Sequence, residues 1–200
     1  MDAHKLQLKV FAEPAAGLEL ESFIPVFHDW IKHERLAELL IDVANYAHVP
    51  QGPGVALIGH GSDYFMDEGE GRLGLLYNRK REAPEPGARL ADTFRRAIHA
   101  ALLLEKEDTL GGKLRFRSHE WLFRINDRLA APNGEATLAA VKPELDAFCG
   151  KLFEGGYQLQ RVGTSRHLFA VRINTPGAPG LGVLLERLGG APPPDAAKPA

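Results

Sequence analysis

Residues 48–81, HVPQGPGVALIGHGSDYFMDEGEGRLGLLYNRKR, decide how the chain folds. Pro50, Gly52, Pro53 and Gly54 make a stiff approach loop, because proline fixes its own φ and glycine permits positive φ. Val55-Ala56-Leu57-Ile58 is an apolar run of strand length. Gly59-His60-Gly61 sets a histidine between two glycines, a pattern that suggests a bulge. Tyr64-Phe65-Met66 resumes the strand, and Asp67-Glu68-Gly69-Glu70-Gly71 turns it. Leu73 to Tyr77 returns as the second strand, which Asn78-Arg79-Lys80-Arg81 closes with charge. The segment predicts a bulged antiparallel hairpin, and it is the candidate functional surface.

Two chemistries suit these residues. In one, the polar groups of the hairpin sit in water and the glycines serve the turns. In the other, His48, His60, Asp63 and Asp67, with Tyr64 nearby, converge on a substrate or a divalent metal. Imidazole with hard oxygen ligands suits zinc, manganese or iron. Alternation along the strand puts Asp63 and Asp67 on one face and His60 on the other, unless the bulge at Gly61 shifts the register. No H-x-x-x-H or C-x-x-C spacing supports the metal.

Outward from this stretch, alternation dominates. Leu6, Leu8 and Val10 alternate with Lys5, Gln7 and Lys9, which predicts a strand with one face in water. Leu39 to Val43 is nearly continuous in apolar character and predicts a central strand, with Asp42 in it in need of donors. Residues 113–117 and 121–125 read as strand pieces interrupted at Ser118-His119-Glu120. Residues 157–162 and 168–173 read as a C-terminal hairpin turning at Gly163-Thr164-Ser165-Arg166.

Three segments carry helical spacing. Residues 20–36 hold the aromatic stripe Phe23, Phe27, Trp30 and Ile31, with Ser22 as N-cap. Residues 90–104 show the apolar face Leu90, Phe94, Ala97, Ile98 and Ala101, with Arg89, Arg95 and Arg96 at the start, the unfavourable end for the helix dipole. Plain solvation accounts for these arginines. Residues 137–153 show Leu138, Val141, Leu145, Phe148 and Leu152, with a kink at Pro143. The order of elements does not alternate as βαβα. It predicts an α+β fold: a mainly antiparallel sheet with about three helices on one face. No internal repeat is visible in the sequence.

The chain has 200 residues, 44% hydrophobic and 25% charged, with a net charge of −2. That length fits one domain with a full core. The even charge balance leaves no basic excess for a large nucleic-acid surface. Cys149 is the single cysteine, so no intramolecular disulfide forms, which favours a reducing, cytoplasmic setting. No apolar run has the length of a membrane span, and residues 1–11 lack the apolar core of a signal peptide.

Residues 1–175 read as one domain and residues 176–200 as a Pro-rich C-terminal tail, flexible or docking. Within it Leu181, Val183, Leu184, Leu185 and Leu188 crowd a two-turn amphipathic segment. Such a segment exists because something receives it: its own sheet, a second copy of the chain or another protein. It resembles the C-terminal docking peptides by which cargo proteins enter protein shells. That resemblance covers about ten residues and implies partner docking through Leu181, Leu184, Leu185 and Leu188.

No P-loop, dinucleotide fingerprint or nucleophile elbow is present. Gly59-His60-Gly61-Ser62-Asp63 holds the residue types of a hydrolytic triad, but five consecutive residues do not converge by themselves. Cys149, among Phe148 and Leu152, reads as an inert buried thiol. The function expected is therefore a non-catalytic protein that binds a protein partner or a small ligand. The alternative is a metal-dependent hydrolase using His48, His60, Asp63 and Asp67.

Overall fold

A computed structural model describes residues 3–50, 52–177 and 179–194. Among them are eight strands and four α-helices, an α+β class. β1 (Leu6–Ala12), α1 (Phe23–Lys32), β2 (Leu40–Tyr46), β3 (Gly54–Gly59), β4 (Ser62–Asp67), β5 (Gly74–Arg79) and α2 (Arg89–Glu105) come first. β6 (Phe116–Ile125), α3 (Glu135–Phe153), β7 (Gln158–Val162), β8 (Phe169–Asn174) and α4 (Leu181–Arg187) follow. The strands make one antiparallel sheet in the order β2-β3-β4-β5-β1-β6-β8-β7. No helix among the described residues is long and apolar enough to cross a membrane.

The order contains a repetition that the sequence hides. Each part begins with a strand (β1 or β6), passes through a helix, and ends with a strand that returns beside the first, β5 beside β1 and β8 beside β6. A helix then packs back, α2 on β1 and β5, α4 on β6 and α2. The two leading strands, β1 and β6, pair antiparallel and form the seam.

All four helices lie against one face. Leu6, Leu8 and Val10 of β1, Tyr64 and Met66 of β4, Leu75 and Tyr77 of β5, and Trp121, Phe123 and Ile125 of β6 point towards them. The aromatic stripe of α1 and the apolar face of α2 fill the space, with Phe23, Phe27, Trp30, Phe94, Ile98 and Leu145 in one buried cluster and Phe148 packed at its edge. Aromatic rings meet tilted, Phe94 at 5.6 Å from Trp121 and 4.8 Å from Phe148. Leu181, Leu184 and Leu188 belong to the same cluster, and Leu185 packs beside it. Residues 181–188 of the tail are thus seated on their own chain, while residues 178 and 195–200 of it lie outside the described residues.

Several expectations change. The bulge expected at Gly59-His60-Gly61 is a tight turn, so residues 54–79 form three antiparallel strands, β3, β4 and β5, and not a two-stranded hairpin; glycines at 59 and 61 suit a reversal as well as a bulge. β1 does not have one face in water: all seven residues are buried, because strands pair on both its sides and a turn folds over its second face. β2 is an edge strand rather than a central one; Ile41 and Asp42 are exposed, and Asp42 Oδ1 accepts from the Val43 N–H. A short apolar run cannot tell burial on both faces from burial on one. The break expected at 118–120 is absent; β6 runs unbroken for ten residues and meets β1 through a register shift between Val10 and Ala12. The first helix is shorter than its apolar pattern: a 3-10 turn over Leu20–Ser22 precedes α1, which ends at Lys32. Arg89 and Arg96, expected in solvent, are buried.

Truncating Phe27 or Phe94 to Ala is expected to cost about 3–5 kcal/mol, and Leu184→Ala about 2–5 kcal/mol, since each leaves a cavity in a packed core. Chemical denaturation measures all three. A Leu184→Ala variant as stable as the parent would show that α4 adds nothing to the core.

Candidate functional site

The sheet has a second face on which no helix of the described residues packs, and the chain builds that face around a lysine. Lys9 lies at the centre of β1 with its side chain fully buried. An ammonium there needs counter-charge and acceptors. Asp67 Oδ1 supplies the charge at 2.5 Å, and the carbonyl oxygens of Gly69 and Arg72 accept at 2.9 Å each. Burial still lowers the Lys9 pKa below its usual value, against the pull of Asp67. Gly74 makes room for the lysine stem: a Cβ there would stand 2.7 Å from Lys9 Cε.

Those contacts fold residues 68–72 over the face. Arg72 stands over the buried ring of Phe11, its Cζ 3.9 Å from the centroid, and grips Glu120 with two hydrogen bonds of 2.8 Å. This fork-to-fork pairing holds the Glu120 carboxyl below the usual carboxylate range. Arg117 and Arg172 also approach Glu120, at 3.6 and 3.5 Å, and Arg117 Nε donates to Glu13 at 3.1 Å. Glu70, at the tip of the turn, reaches across to the second part of the sheet. Its carboxylate accepts from Arg172 Nη2 at 2.7 Å and Arg124 Nη2 at 3.3 Å.

Beside this charge cluster lies a hollow of about 590 Å³, lined by Glu70, Arg124, Val162, Gly163, His167, Leu168, Ala170 and Arg172. Register explains the lining: Arg124 pairs with Ala170 and Ala170 with Val162, so the three stand side by side across β6, β8 and β7. The β7–β8 turn forms the wall. The Thr164 N–H donates to His167 Nδ1 at 3.0 Å, so the neutral ring carries its proton on Nε2. A hollow of similar volume, about 560 Å³, lies by α3; Ala130, Ala131, Ala136 and Ala140 line it together with His4, Lys5 and Asp127, so it holds charges of both signs and no pair of guanidinium groups.

The hairpin residues singled out in the sequence scatter. His48 is exposed in the turn after β2, and His60 lies in the turn between β3 and β4. The length of β3 separates them, about 17 Å at the rise of a strand. His60 Nε2 meets Glu82 at 3.2 Å. Asp63 and Asp67 do share one face, but Lys80 holds Asp63 at 2.6 Å and Lys9 holds Asp67. Among the described residues no group of three or more His, Cys, Asp or Glu side chains gathers to hold a metal ion.

Tyr64 faces the helices and joins a buried polar network there. Glu38, 1% exposed, accepts from the Tyr64 hydroxyl at 2.7 Å, the Ser62 hydroxyl at 2.8 Å and the Ser62 N–H at 3.0 Å. Arg96 stands 3.8 Å from Glu38 and donates to Asp92 at 3.0 Å, while Arg79 meets Asp92 at 2.6 Å. Gly59 admits the carboxylate, since a Cβ there would lie 2.8 Å from Glu38 Oε2. Burial raises the Glu38 pKa despite these donors, and pushes Tyr64 well above its usual value. With Ser62 and Tyr64 buried alongside Glu38, the network reads as structural.

Sequence reasoning missed Glu70, Arg124, His167 and Arg172. Arg124 and Arg172 stand at positions that alternation assigns to the outer face, but their meeting depends on the β6–β8 register, which the sequence does not display. The chain matches no known protein family and no characterised protein.

Glu38 yields a pH test. Its folded pKa lies above the unfolded 4.5, so the folded state binds more protons between the two values. The cost of its buried charge is therefore present at neutral pH and fades as pH falls towards 4.5. The wild type should gain stability relative to Glu38→Gln between pH 7 and pH 5, read by denaturant melts of both at each pH. A difference independent of pH would contradict the burial of an ionised Glu38.

Proposed function

We propose that the chain is a non-catalytic protein that binds a small ligand in the hollow of the helix-free face, with the turn of the 48–81 hairpin as part of the site. One observation carries this: two guanidinium groups, Arg124 and Arg172, converge beside an apolar surface of Val162, Leu168 and Ala170 in a hollow of about 590 Å³. A concave, partly apolar pocket with a few converging polar groups is the usual form of a small-molecule site. The volume suits a ligand of metabolite size.

The competing hydrolase reading finds less support. Its two histidines stand at opposite ends of β3, and both of its aspartates already hold lysines. The Cys149 thiol, buried and pushed up to about 12, is no nucleophile. A lone cysteine of this kind suits a cytoplasmic setting. A protein partner for α4 is likewise less favoured, because its leucines already pack on α2 and β6.

Filling the hollow tests the proposal. Val162 is half-buried in its lining, so Val162→Trp should occupy the space while the melting temperature stays within a few degrees of the parent. A thermal-shift screen of small metabolites against both proteins should give stabilising ligands for the wild type that fail on the Trp variant; stabilisation follows from binding to the folded state alone. Ligands that stabilise both equally would place binding elsewhere.

A further inference from the structure

We propose that the hollow takes a small molecule with an anionic head, a carboxylate or a phosphate monoester, and that Glu70 holds the head's place on Arg124 and Arg172 until the ligand displaces it. This deepens the pocket reading above and rests on it.

The geometry at Glu70 is that of a bound carboxylate. Its two oxygens bridge guanidinium groups on neighbouring strands, Oε2 to Arg172 and Oε1 to Arg124. A ligand carboxylate or phosphate in the hollow would find the same donors from the pocket side, with His167 lining the same space. Arginine suits such heads because its fork of donors matches their oxygens.

Charge points the same way. Four guanidinium groups, Arg72, Arg117, Arg124 and Arg172, meet three carboxylates, Glu13, Glu70 and Glu120, which leaves one positive charge in excess. Glu120 is fixed, 12% exposed and held by both arms of Arg72. Glu70 is different. Its side chain is 33% exposed, and it belongs to a turn whose two ends Lys9 anchors through the Gly69 and Arg72 carbonyls. The carboxylate can therefore swing into water by side-chain rotation, while the turn stays on the sheet. Its backbone sits at φ 65°, a left-handed conformation that costs a residue with a Cβ and that clusters at ligand clamps. Among the described residues its carboxylate hydrogen-bonds the two arginines, and it lies close enough to attract Lys9 and Arg72, which have Asp67 and Glu120 as their own partners. Below the head, Val162, Leu168 and Ala170 offer an apolar bed, so the ligand carries a non-polar body.

Isothermal titration at low ionic strength with benzoate, phenyl phosphate, benzamide and benzylamine reads the inference directly. Benzoate, phenyl phosphate or both should bind, and whichever binds tighter identifies the head. Benzamide and benzylamine should bind weaker by about tenfold or more, the loss of a charge-assisted hydrogen bond. Glu70→Gln and Glu70→Gly should each tighten the anion by about fivefold or more, because the competing carboxylate is gone. The glycine variant also removes the strain at φ 65°, which keeps the test valid if the glutamine variant folds poorly. Arg172→Met should weaken the anion by about tenfold. Benzylamine or benzamide binding as well as benzoate would overturn the inference, as would anion affinity unchanged in both Glu70 variants. If Val162→Trp abolished binding in those cases, the pocket reading would stand without the anionic head. Binding of none of the four probes to the wild type or to either Glu70 variant overturns the inference as well, and a blank thermal-shift screen beside it removes the pocket reading too.

Discussion

A lysine in the middle of a sheet has nowhere to send its charge. Lys9 sits on β1, flanked by β5 and β6, and water does not reach it. The free-energy cost of an unpaired ammonium at such a place is several kcal/mol, so the chain must bring it partners. Asp67 brings a carboxylate from the end of β4, and the next residues bring carbonyls. A lysine donates three hydrogen bonds from one point, and satisfying them curls residues 67–72 around that point. The tip of the curl is Glu70 and its far side is Arg72. Both then lie over the helix-free face, where Arg72 covers Phe11 and Glu70 meets the arginines of β6 and β8. The charge cluster is thus downstream of one buried residue. If Lys9 were apolar, the turn would lose what draws it onto the sheet.

The helix side solves the same problem with different parts. Glu38, Asp92, Arg79 and Arg96 are two acids and two bases, balanced in charge and enclosed between the sheet and α2. Ser62 and Tyr64 add neutral donors to the Glu38 carboxylate. A network of this kind fixes the position of α2 over β4 and β5 more than it adds stability, because replacing buried ion pairs by apolar groups is often neutral. The contrast with the other face is one of access. Glu38 has no route to a ligand, whereas Glu70 is part of the wall of a hollow.

Much of the architecture was legible in residue order. The aromatic stripe of α1, the apolar faces of α2 and α3 and the C-terminal hairpin all carry a period that burial imposes. The segment 48–81 was legible as strands but not in number, because Gly59-His60-Gly61 reverses the chain where a bulge was expected. What alternation could not reveal was what covers the outer phase of a strand. Lys9 and Gln7 read as water-facing because lysine and glutamine usually are, and only the fold of 68–72 shows otherwise. The opposite error came at β2, where an apolar run reads as interior and Ile41 stands in solvent at the edge. The arginines at the start of α2 did carry a signal: cations at a helix N-terminus oppose the dipole, and the compensation is Asp92 with the rest of the buried network. The hairpin histidines were misleading for a geometric reason. A strand carries the residues before and after it to opposite ends of the sheet, so nearness in sequence became distance in space.

The same geometry shows why the pocket cannot belong to either part of the chain alone. Its wall and two of its cations come from β6, β7 and β8, and its remaining carboxylate comes from the turn between β4 and β5. The two sets face each other only because β1 and β6 pair as the seam, in a register that sets Lys9 opposite Leu122 and Gln7 opposite Arg124. A shift of one residue would turn Arg124 towards the helices and Trp121 and Phe123 away from them, burying the charge in the apolar core, an arrangement the core could not accept. The apolar alternation of β1 and β6, chosen by packing on the helix side, therefore dictates where the arginines stand on the other. The position of the candidate site is a consequence of core packing on the opposite face, and this is why it falls at the seam.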